Sequence, residues 1–235
     1  MLVLVMALSI TFICTGFAHA YDMREYYPLN VGDEWKYNIV EKDIVEEEGI
    51  EVFSEEIFES WDFVVKGKDI IGKATVYMIA EGDEVVYEAV ESEVVKRFKR
   101  IEGSDIVKFD PPKPLFLNLE VGESNKFSLK NLYYNADINK TWTNKEQVEL
   151  GLESIEDVIV PAGKFSGCLK FRIVSKKRTH AESRYVEEEN IIWLAKGVGI
   201  VKTVHTKRDV IDASNAEIEQ SLSVLASAVI DGKKI

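Results

Sequence analysis

Histidine, serine and carboxylate side chains are the residues of this chain that could carry catalysis or hold a metal ion. His180 and His205 lie 25 positions apart and match no metal-ligand spacing such as His-Glu-x-x-His. No serine lies in a nucleophile-elbow sequence, and the acidic runs 46–48 and 187–189 are typical of solvated loops or strand ends. We therefore expect no catalytic residue, no metal and no cofactor. A hydrolase remains the alternative, because the members of a Ser–His–Asp triad are distant in sequence.

The two cysteines offer little redox or metal chemistry. Cys14 lies within the apolar segment 1–20, and Ile13 precedes it where a lipidation motif requires a small residue. If that segment is removed, Cys168 is the one remaining thiol, and an internal disulfide is excluded. Cys168 lies in an alternating apolar run, which is typical of a buried small side chain rather than a reactive nucleophile.

Aromatic side chains are the residues that could bind an apolar molecule. Trp35 and Tyr37 share one face of a predicted strand, an arrangement typical of a core but also of a ligand-lining wall. We predict five lining residues for an apolar ligand: Trp35, Tyr37, Trp61, Trp142 and Trp193.

The charge of the chain excludes one class of partner and disfavours another. It carries 41 acidic and 29 basic residues, a net charge of −12. Nucleic-acid binding requires lysine and arginine to neutralise phosphates, so we expect no nucleic-acid partner. Attraction to anionic lipid headgroups is disfavoured for the same reason.

Residues 1–20 predict export. They contain no Asp, Glu, Lys or Arg, are almost wholly apolar over residues 2–17, and end in Ala18-His19-Ala20, as signal peptides do at their cleavage site. A retained membrane anchor is the alternative, but this run is shorter than the about 20 residues that cross a bilayer. We expect a soluble, unlipidated protein, periplasmic or extracellular, with no membrane span after cleavage.

The elements that would position these residues are predicted to be strands. Apolar residues recur with period two, as where Val76–Ile79 leads through Glu81-Gly82-Asp83 into Val85–Tyr87. Turn residues interrupt the runs every 8–12 residues or so, a spacing typical of an antiparallel all-β sheet or barrel. We therefore predict an all-β fold, a curved antiparallel sheet forming a barrel or half-barrel.

Three stretches are less regular. Residues 44–60 are acidic enough to predict a loop or a short helix, and residues 215–230 fit a strand better than a helix. Pro111, Pro112 and Pro114 predict a crossing or a sheet edge, because proline supplies no ladder donor. We expect free strand edges at the proline stretch and in the C-terminal segment.

One pattern occurs twice. Leu29–Tyr37 and Leu119–Phe127 both place Leu, Val, Gly and Lys at matching positions, with an acid after the glycine and an aromatic residue at the end. The repeat suggests two related halves, residues 21–114 and 115–235, within a single β-rich domain, residues 21–235. Domains of this length are ordinary for β proteins.

Two further motifs predict tight connections rather than phosphate sites. Pro161-Ala162-Gly163 fits a hairpin turn between strands near 155–160 and 165–175. Gly197 and Gly199 lack the third glycine and the following helix of a dinucleotide fingerprint, so they predict a β connection in which the backbone passes close to a neighbour.

Together these motifs resemble a family of uncharacterised exported bacterial β-rich proteins. Three segments match. Tyr27–Tyr37 contains a Tyr-Pro-Leu stretch that leads to a glycine and a tryptophan, and Val160–Lys170 contains the Val-Pro-Ala-Gly-x-Phe hairpin. Trp193–Lys202 contains Gly-Val-Gly-x-Val-Lys. The resemblance implies a curved antiparallel sheet and a domain of unknown function, and it brings no catalytic residues. This chain departs from the pattern at Asn125, where tryptophan is usual.

These observations favour a non-enzymatic, exported binding or envelope-associated protein whose barrel holds an apolar small molecule or lipid. A structural or interaction module that recognises another envelope protein through a strand edge is the second hypothesis. An unrecognised hydrolase is the third.

Overall fold

Strands follow the period-two alternation along nearly all of the chain that the structure describes. A computed structural model describes residues 21–47, 50–178, 185–210 and 215–235. A short helix, α1 (Met23–Tyr26), precedes the strands. The strands are β1 (Glu34–Glu47), β2 (Ile50–Ile71), β3 (Ala74–Glu81), β4 (Glu84–Val90), β5 (Val94–Glu102), β6 (Asp105–Leu117), β7 (Ser124–Asn135), β8 (Lys140–Val160), β9 (Gly163–Arg178), β10 (Tyr185–Ala195), β11 (Gly199–Val210), β12 (Asn215–Ile230) and β13 (Lys233–Lys234).

The strands form one antiparallel sheet that closes on itself. Each strand pairs with the next along the chain. Closure comes from β1, which also pairs with β12, from Glu34 opposite Val229 to Glu47 opposite Asn215. The result is a closed twelve-stranded barrel with β13 added to the end of β12, which confirms the all-β fold class.

The prediction of a loop or short helix over residues 44–60 is wrong. Residues 44–47 end β1, and residues 50–60 belong to β2. The acidic side chains Glu55, Glu56 and Glu59 are exposed, so strand formation buries none of their charge. The many acidic residues of this stretch therefore did not prevent it from forming strands.

The two predicted edges have different outcomes. The strand expected at residues 215–230 is confirmed by β12. The free edge expected in this segment is wrong, because residues 216–224 pair with both β1 and β11. The pairing of β6 with β7 ends at Asp110, and Pro111 begins the stretch without a β7 partner. The proline stretch therefore lies at an edge, as expected for residues without a ladder donor.

The repeated sequence pattern forms two turns of equivalent geometry. Gly32 and Gly122 have φ of 96° and 89°, values that favour glycine. Their amides donate to the carbonyls of Val65 and Leu152, at 2.9 and 2.7 Å. In both turns an acidic side chain accepts a backbone N–H three residues earlier. The predicted division between residues 114 and 115 falls inside β6.

The predicted tight connections are confirmed. Residues 161 and 162 join β8 to β9, and residues 196–198 join β10 to β11. A Cβ placed on Gly199 would lie 3.5 Å from Nε1 of Trp35, so the backbone passes close to this ring. The backbone of β11 at Gly199 therefore lies directly beside the Trp35 ring.

The N-terminal segment lies across one end of the barrel. The Met23 amide donates to the Ser92 carbonyl in the β4–β5 connection, at 2.9 Å. The Gly197 amide, in the β10–β11 connection, donates to the Glu25 carbonyl at 2.6 Å. Met23 is fully buried in the core cluster that includes Phe116. We call this the α1 end of the barrel.

Candidate ligand-binding site

A cavity of about 640 Å³ lies inside the barrel and is lined by residues from most of its strands. This volume is within the range of about 300–1,000 Å³ that is typical of small-ligand sites. Its apolar and aromatic lining includes Tyr27, Leu29, Trp35, Tyr37, Phe63, Ile79 and Phe116. Its charged lining comprises Glu81, Glu84, Glu102, Glu188, Glu219, Arg97, Arg100, Lys113, Lys177 and Lys207.

The aromatic part of the lining is held in place by its polar atoms. The Trp35 indole N–H donates to the Val198 carbonyl at 2.6 Å, and the Tyr37 hydroxyl donates to the Ile200 carbonyl at 2.8 Å. The ring of Tyr37 meets the ring of Phe63 edge-on, with centroids 5.0 Å apart. These contacts fix the orientation of the rings while their apolar faces contribute to the cavity wall.

The first ionic cluster surrounds Glu88, whose side chain is fully buried. Nε and Nη2 of Arg97 donate to Oε1 of Glu88 at 2.8 and 2.7 Å. The Tyr27 hydroxyl donates to the other carboxylate oxygen at 2.8 Å. Arg97 also lies 3.5 Å from a Glu81 oxygen. The cluster thus links the segment before β1 to three neighbouring strands, β3, β4 and β5.

The second ionic cluster surrounds Glu146, which is also fully buried. Nζ of Lys113 lies 2.7 Å from its Oε1, and the Asn131 amide donates to its Oε2 at 2.6 Å. Lys177 and Glu188 form an adjacent pair at 2.9 Å. This cluster joins strands β6 to β10.

In both clusters the central carboxylate lies behind its cation as seen from the cavity, whereas Glu81 and Glu188 at the margins of the clusters also line it. Glu88 and Glu146 have no exposed side-chain surface, whereas their partners Arg97 and Lys113 keep 21% and 16% of theirs. Arg97 and Lys113 line the cavity. The barrel therefore presents a guanidinium and an ammonium group to the cavity, each compensated from behind by a buried carboxylate.

Burial and neighbouring charges set the protonation states of the lining. Burial raises the pKa of Glu81 to about 7. Burial alone would raise the pKa of Glu188, but the Lys177 ammonium group outweighs it and brings the pKa to about 2. Burial lowers the pKa of His205, whose Nδ1 lies 2.9 Å from Oδ1 of Asn190. At neutral pH, Glu188 is ionised, His205 is neutral, and Glu81 is near its midpoint.

Three of the five predicted lining residues, Trp35, Tyr37 and Trp61, line the cavity. Trp142 and Trp193 are not among its lining residues. Trp142 instead stacks on Tyr133, with ring centroids 5.4 Å apart.

Trp193 is buried outside the cavity lining because it lies on the outer face of β10. Glu188, Asn190 and Ile192, at alternate positions of this strand, line the cavity. Since Ile192 lines the cavity, the side chain of Trp193 takes the other face of β10. There its indole donates to Glu156 at 2.5 Å, and the Lys202 ammonium group lies 4.6 Å from the ring centroid.

The ionic lining is the part of the site that sequence reasoning missed. One signal was available, because Glu88 interrupts the apolar run of β4, Val85–Val90. A charged residue in such a run requires a buried partner. Its identity follows from strand register, in which Glu88 lies opposite Arg97.

The remaining chemistry-bearing groups do not form a metal or thiol site. Within the described ranges, no group of three or more His, Cys, Asp or Glu side chains could hold a metal ion. Cys168 is fully buried, and burial raises the pKa of its thiol to about 11. His180 lies outside the described residues. None of the helices in the described part of the chain is long and apolar enough to cross a membrane.

The comparisons with known proteins concern family and fold. The family model described as DUF3108-like matches residues 36–210. A "putative exported protein with YmcC-like fold" from Bacteroides fragilis is similar in structure, with 14% identity, a TM-score of 0.44, and coverage of 89% of this chain and 99% of that one. The "hypothetical lipoprotein YmcC" from Escherichia coli K12 is 11% identical, with a TM-score of 0.38 and coverage of 78% and 83%. No curated protein matches the sequence.

Proposed function

This chain belongs to the DUF3108-like family, and we propose that it is an exported, non-enzymatic binding protein whose barrel holds an amphipathic ligand. The ligand has an apolar body and an anionic group. Export is supported by the sequence of residues 1–20, which is typical of a signal peptide. Ligand binding is supported by one observation above all, the cavity that combines an aromatic lining with cations backed by buried carboxylates.

The apolar body of the ligand is supported by the aromatic part of the lining. Trp35, Tyr37 and Phe63 contribute to one continuous apolar surface near the α1 end. Apolar surface that a ligand removes from water contributes about 25 cal/mol per Å². Burial of an alkyl or aromatic group against these rings therefore contributes to the affinity in proportion to the apolar surface that it covers.

The anionic group is supported by the arrangement of charge. A wholly apolar ligand, which the sequence suggested, would strip water from Arg97 and Lys113 without replacing its hydrogen bonds. A carboxylate, sulfate or phosphate group would accept hydrogen bonds from these cations. Hydrogen bonds between charged groups contribute about 1.5–3 kcal/mol each. The anionic head group of the ligand therefore determines which class of amphipathic molecule binds.

Three twelve-carbon probes test this function: dodecanoate, dodecanol and dodecyltrimethylammonium. Their binding is followed by the fluorescence of tryptophan, since Trp35 and Trp61 line the cavity. We expect dodecanoate to bind about tenfold or more tightly than dodecanol, and the cationic probe to bind least. Equal affinity for dodecanoate and dodecanol would refute the anionic group, and failure of all three to bind would refute ligand binding in the cavity.

A charge-neutral double variant tests the site itself. Lys113→Met with Glu146→Gln removes the cation and the buried charge together, which avoids leaving an unpaired carboxylate in the core. The matched control is Lys164→Met with Asp157→Asn, a pair at 3.0 Å on the surface. We expect the first double variant to lose the preference for dodecanoate over dodecanol while still binding dodecanol, and the control to behave as the wild type.

A further inference from the structure

One edge of β2 is unpaired over about half of the strand. Residues 50–64 pair with β1 on one side. On the other side, pairing with β3 starts only at Phe63. None of the described strands pairs with this second edge between residues 50 and 62, a length of about 40 Å for an extended strand.

The backbone groups on that edge can be assigned. The Val65 amide donates to the Asp33 carbonyl, and its carbonyl accepts from the Gly32 amide, both at 2.9 Å, so Val65 points toward the segment that leads into β1. Alternate residues of a strand point the same way, and the register with β1 is unbroken from Phe53 to Val64. The residues whose N–H and C=O point to the free edge are therefore Ser54, Glu56, Phe58, Ser60 and Asp62.

The edge lacks two of the usual protections of an edge strand, and its one register shift against β1 lies at its far end, before Phe53. Natural sheets shield a long edge with proline, lysine, bulges or a covering segment. Residues 50–62 contain neither proline nor lysine. The edge carries exposed apolar side chains instead, with Phe58 73% and Trp61 40% exposed. A strand edge with these properties is a template for a further strand.

The charge of the edge selects its partner. Acidic residues occur at five positions of the segment, and it contains no lysine or arginine. The five are Glu51, Glu55, Glu56, Glu59 and Asp62. A second copy of the chain would bring acidic side chains opposite one another, which is unfavourable in a strand pair. A partner strand with lysine or arginine at alternate positions would be complementary.

We propose that residues 50–62 of β2 bind an extended basic segment of another protein, which adds to the barrel wall as an antiparallel or parallel strand. Main-chain hydrogen bonds to the free edge supply affinity, and the acidic side chains select a basic partner. Apolar side chains of the partner contact Phe58. Trp61 belongs both to this segment and to the cavity lining, but Arg97 and Lys113 lie on other strands, so failure of strand addition would leave the proposed ligand binding untouched.

The test uses a fluorescent peptide of about ten residues that alternates lysine and valine, with a glutamate–valine peptide as the charge control. Fluorescence anisotropy measures binding to the wild type, to Ser60→Pro and to Ser60→Ala. Proline at position 60 removes an N–H that points to the free edge and leaves the β1 ladder intact, whereas alanine keeps it. We expect the lysine–valine peptide to bind the wild type and the glutamate–valine peptide not to bind. The affinity of the lysine–valine peptide should be about tenfold lower for Ser60→Pro and the same as wild type for Ser60→Ala.

A second measurement needs no variant. In the wild type, the amides of Glu56, Phe58 and Ser60 should exchange rapidly with deuterium and become protected when the lysine peptide is added, as followed by NMR. The proposal would be overturned if the peptide bound Ser60→Pro as tightly as the wild type, or if binding protected none of these amides. Either result would show that the peptide is attracted by charge alone. Absence of binding, or self-association of the wild type that Ser60→Pro abolishes, would overturn it as well.

Discussion

Replacement of Glu81 by glutamine should make the folded protein more stable above neutral pH. Glu81 lies at the end of β3, 3.5 Å from Arg97, and burial raises the pKa of its carboxyl group from 4.5 to about 7. Glutamine keeps the shape and the hydrogen-bonding oxygen of this side chain but carries no charge to desolvate. The variant therefore isolates the cost of ionising Glu81 within the barrel.

The sign and size of the effect follow from the pKa of Glu81. The folded protein binds this proton more tightly than the unfolded chain does, so the contribution to stability is complete below about pH 4.5 and is lost as the pH rises through 7. At about 1.4 kcal/mol per pH unit, the interval from 4.5 to about 7 amounts to about 3.5 kcal/mol at most. A fifth of the Glu81 side chain remains exposed, and solvent screening brings the expected value to about 2–3 kcal/mol.

Urea unfolding followed by tryptophan fluorescence measures this difference at pH 5, 6, 7 and 8. We expect Glu81→Gln to match the wild type at pH 5 and to exceed its free energy of unfolding by about 2–3 kcal/mol at pH 8. Glu120→Gln, at an exposed position, is the control and should change little at any pH. A constant difference between Glu81→Gln and wild type across the series would contradict the assignment of a raised pKa to this carboxyl group.

Two further predictions concern the turns and the thiol. Gly32→Ala and Gly122→Ala should each lower the free energy of unfolding by about 1–2 kcal/mol, since both residues have positive φ and a Cβ would meet no neighbour at either. Unequal losses in urea unfolding would contradict the equivalence of the two turns. Cys168, fully buried and with its thiol pKa raised by burial to about 11, should react with Ellman's reagent only after unfolding. Rapid reaction of the native protein would contradict this burial.

The local structure was largely predictable because side-chain period and turn residues act over short distances. Alternation predicts the strands, and Pro161 predicts the hairpin between β8 and β9, as found. Pairing over long distances was not predictable in the same way. The stretch 44–60 was misread because its acidic side chains suggested a loop or helix, while the pairing of β1 with β2 favours a strand.

The lining residues of the cavity were predictable only where they belong to a single strand. Trp35 and Tyr37 were found because two residues of the same strand two positions apart share a face. Trp193 was misplaced because alternation does not tell which face of a strand looks into the barrel, and in β10 the face of Ile192 lines the cavity. The ionic lining was missed because Glu146 and Lys113 belong to different strands, β8 and β6, and the register between strands that brings their side chains within 2.7 Å cannot be read from either strand alone.

Closure of the barrel by β1 and β12 determines when this protein can fold. Glu34 pairs with Val229, so nearly the whole described chain must be present before the first strand acquires its second neighbour. Contacts between such distant positions form slowly, because the intervening loop must be closed before they become favourable. If the chain is exported from its N-terminus, as we propose, the outer edge of β1 stays unpaired until β12 emerges. The pairing of β12 with β1 would therefore end the period in which this strand edge is open to aggregation.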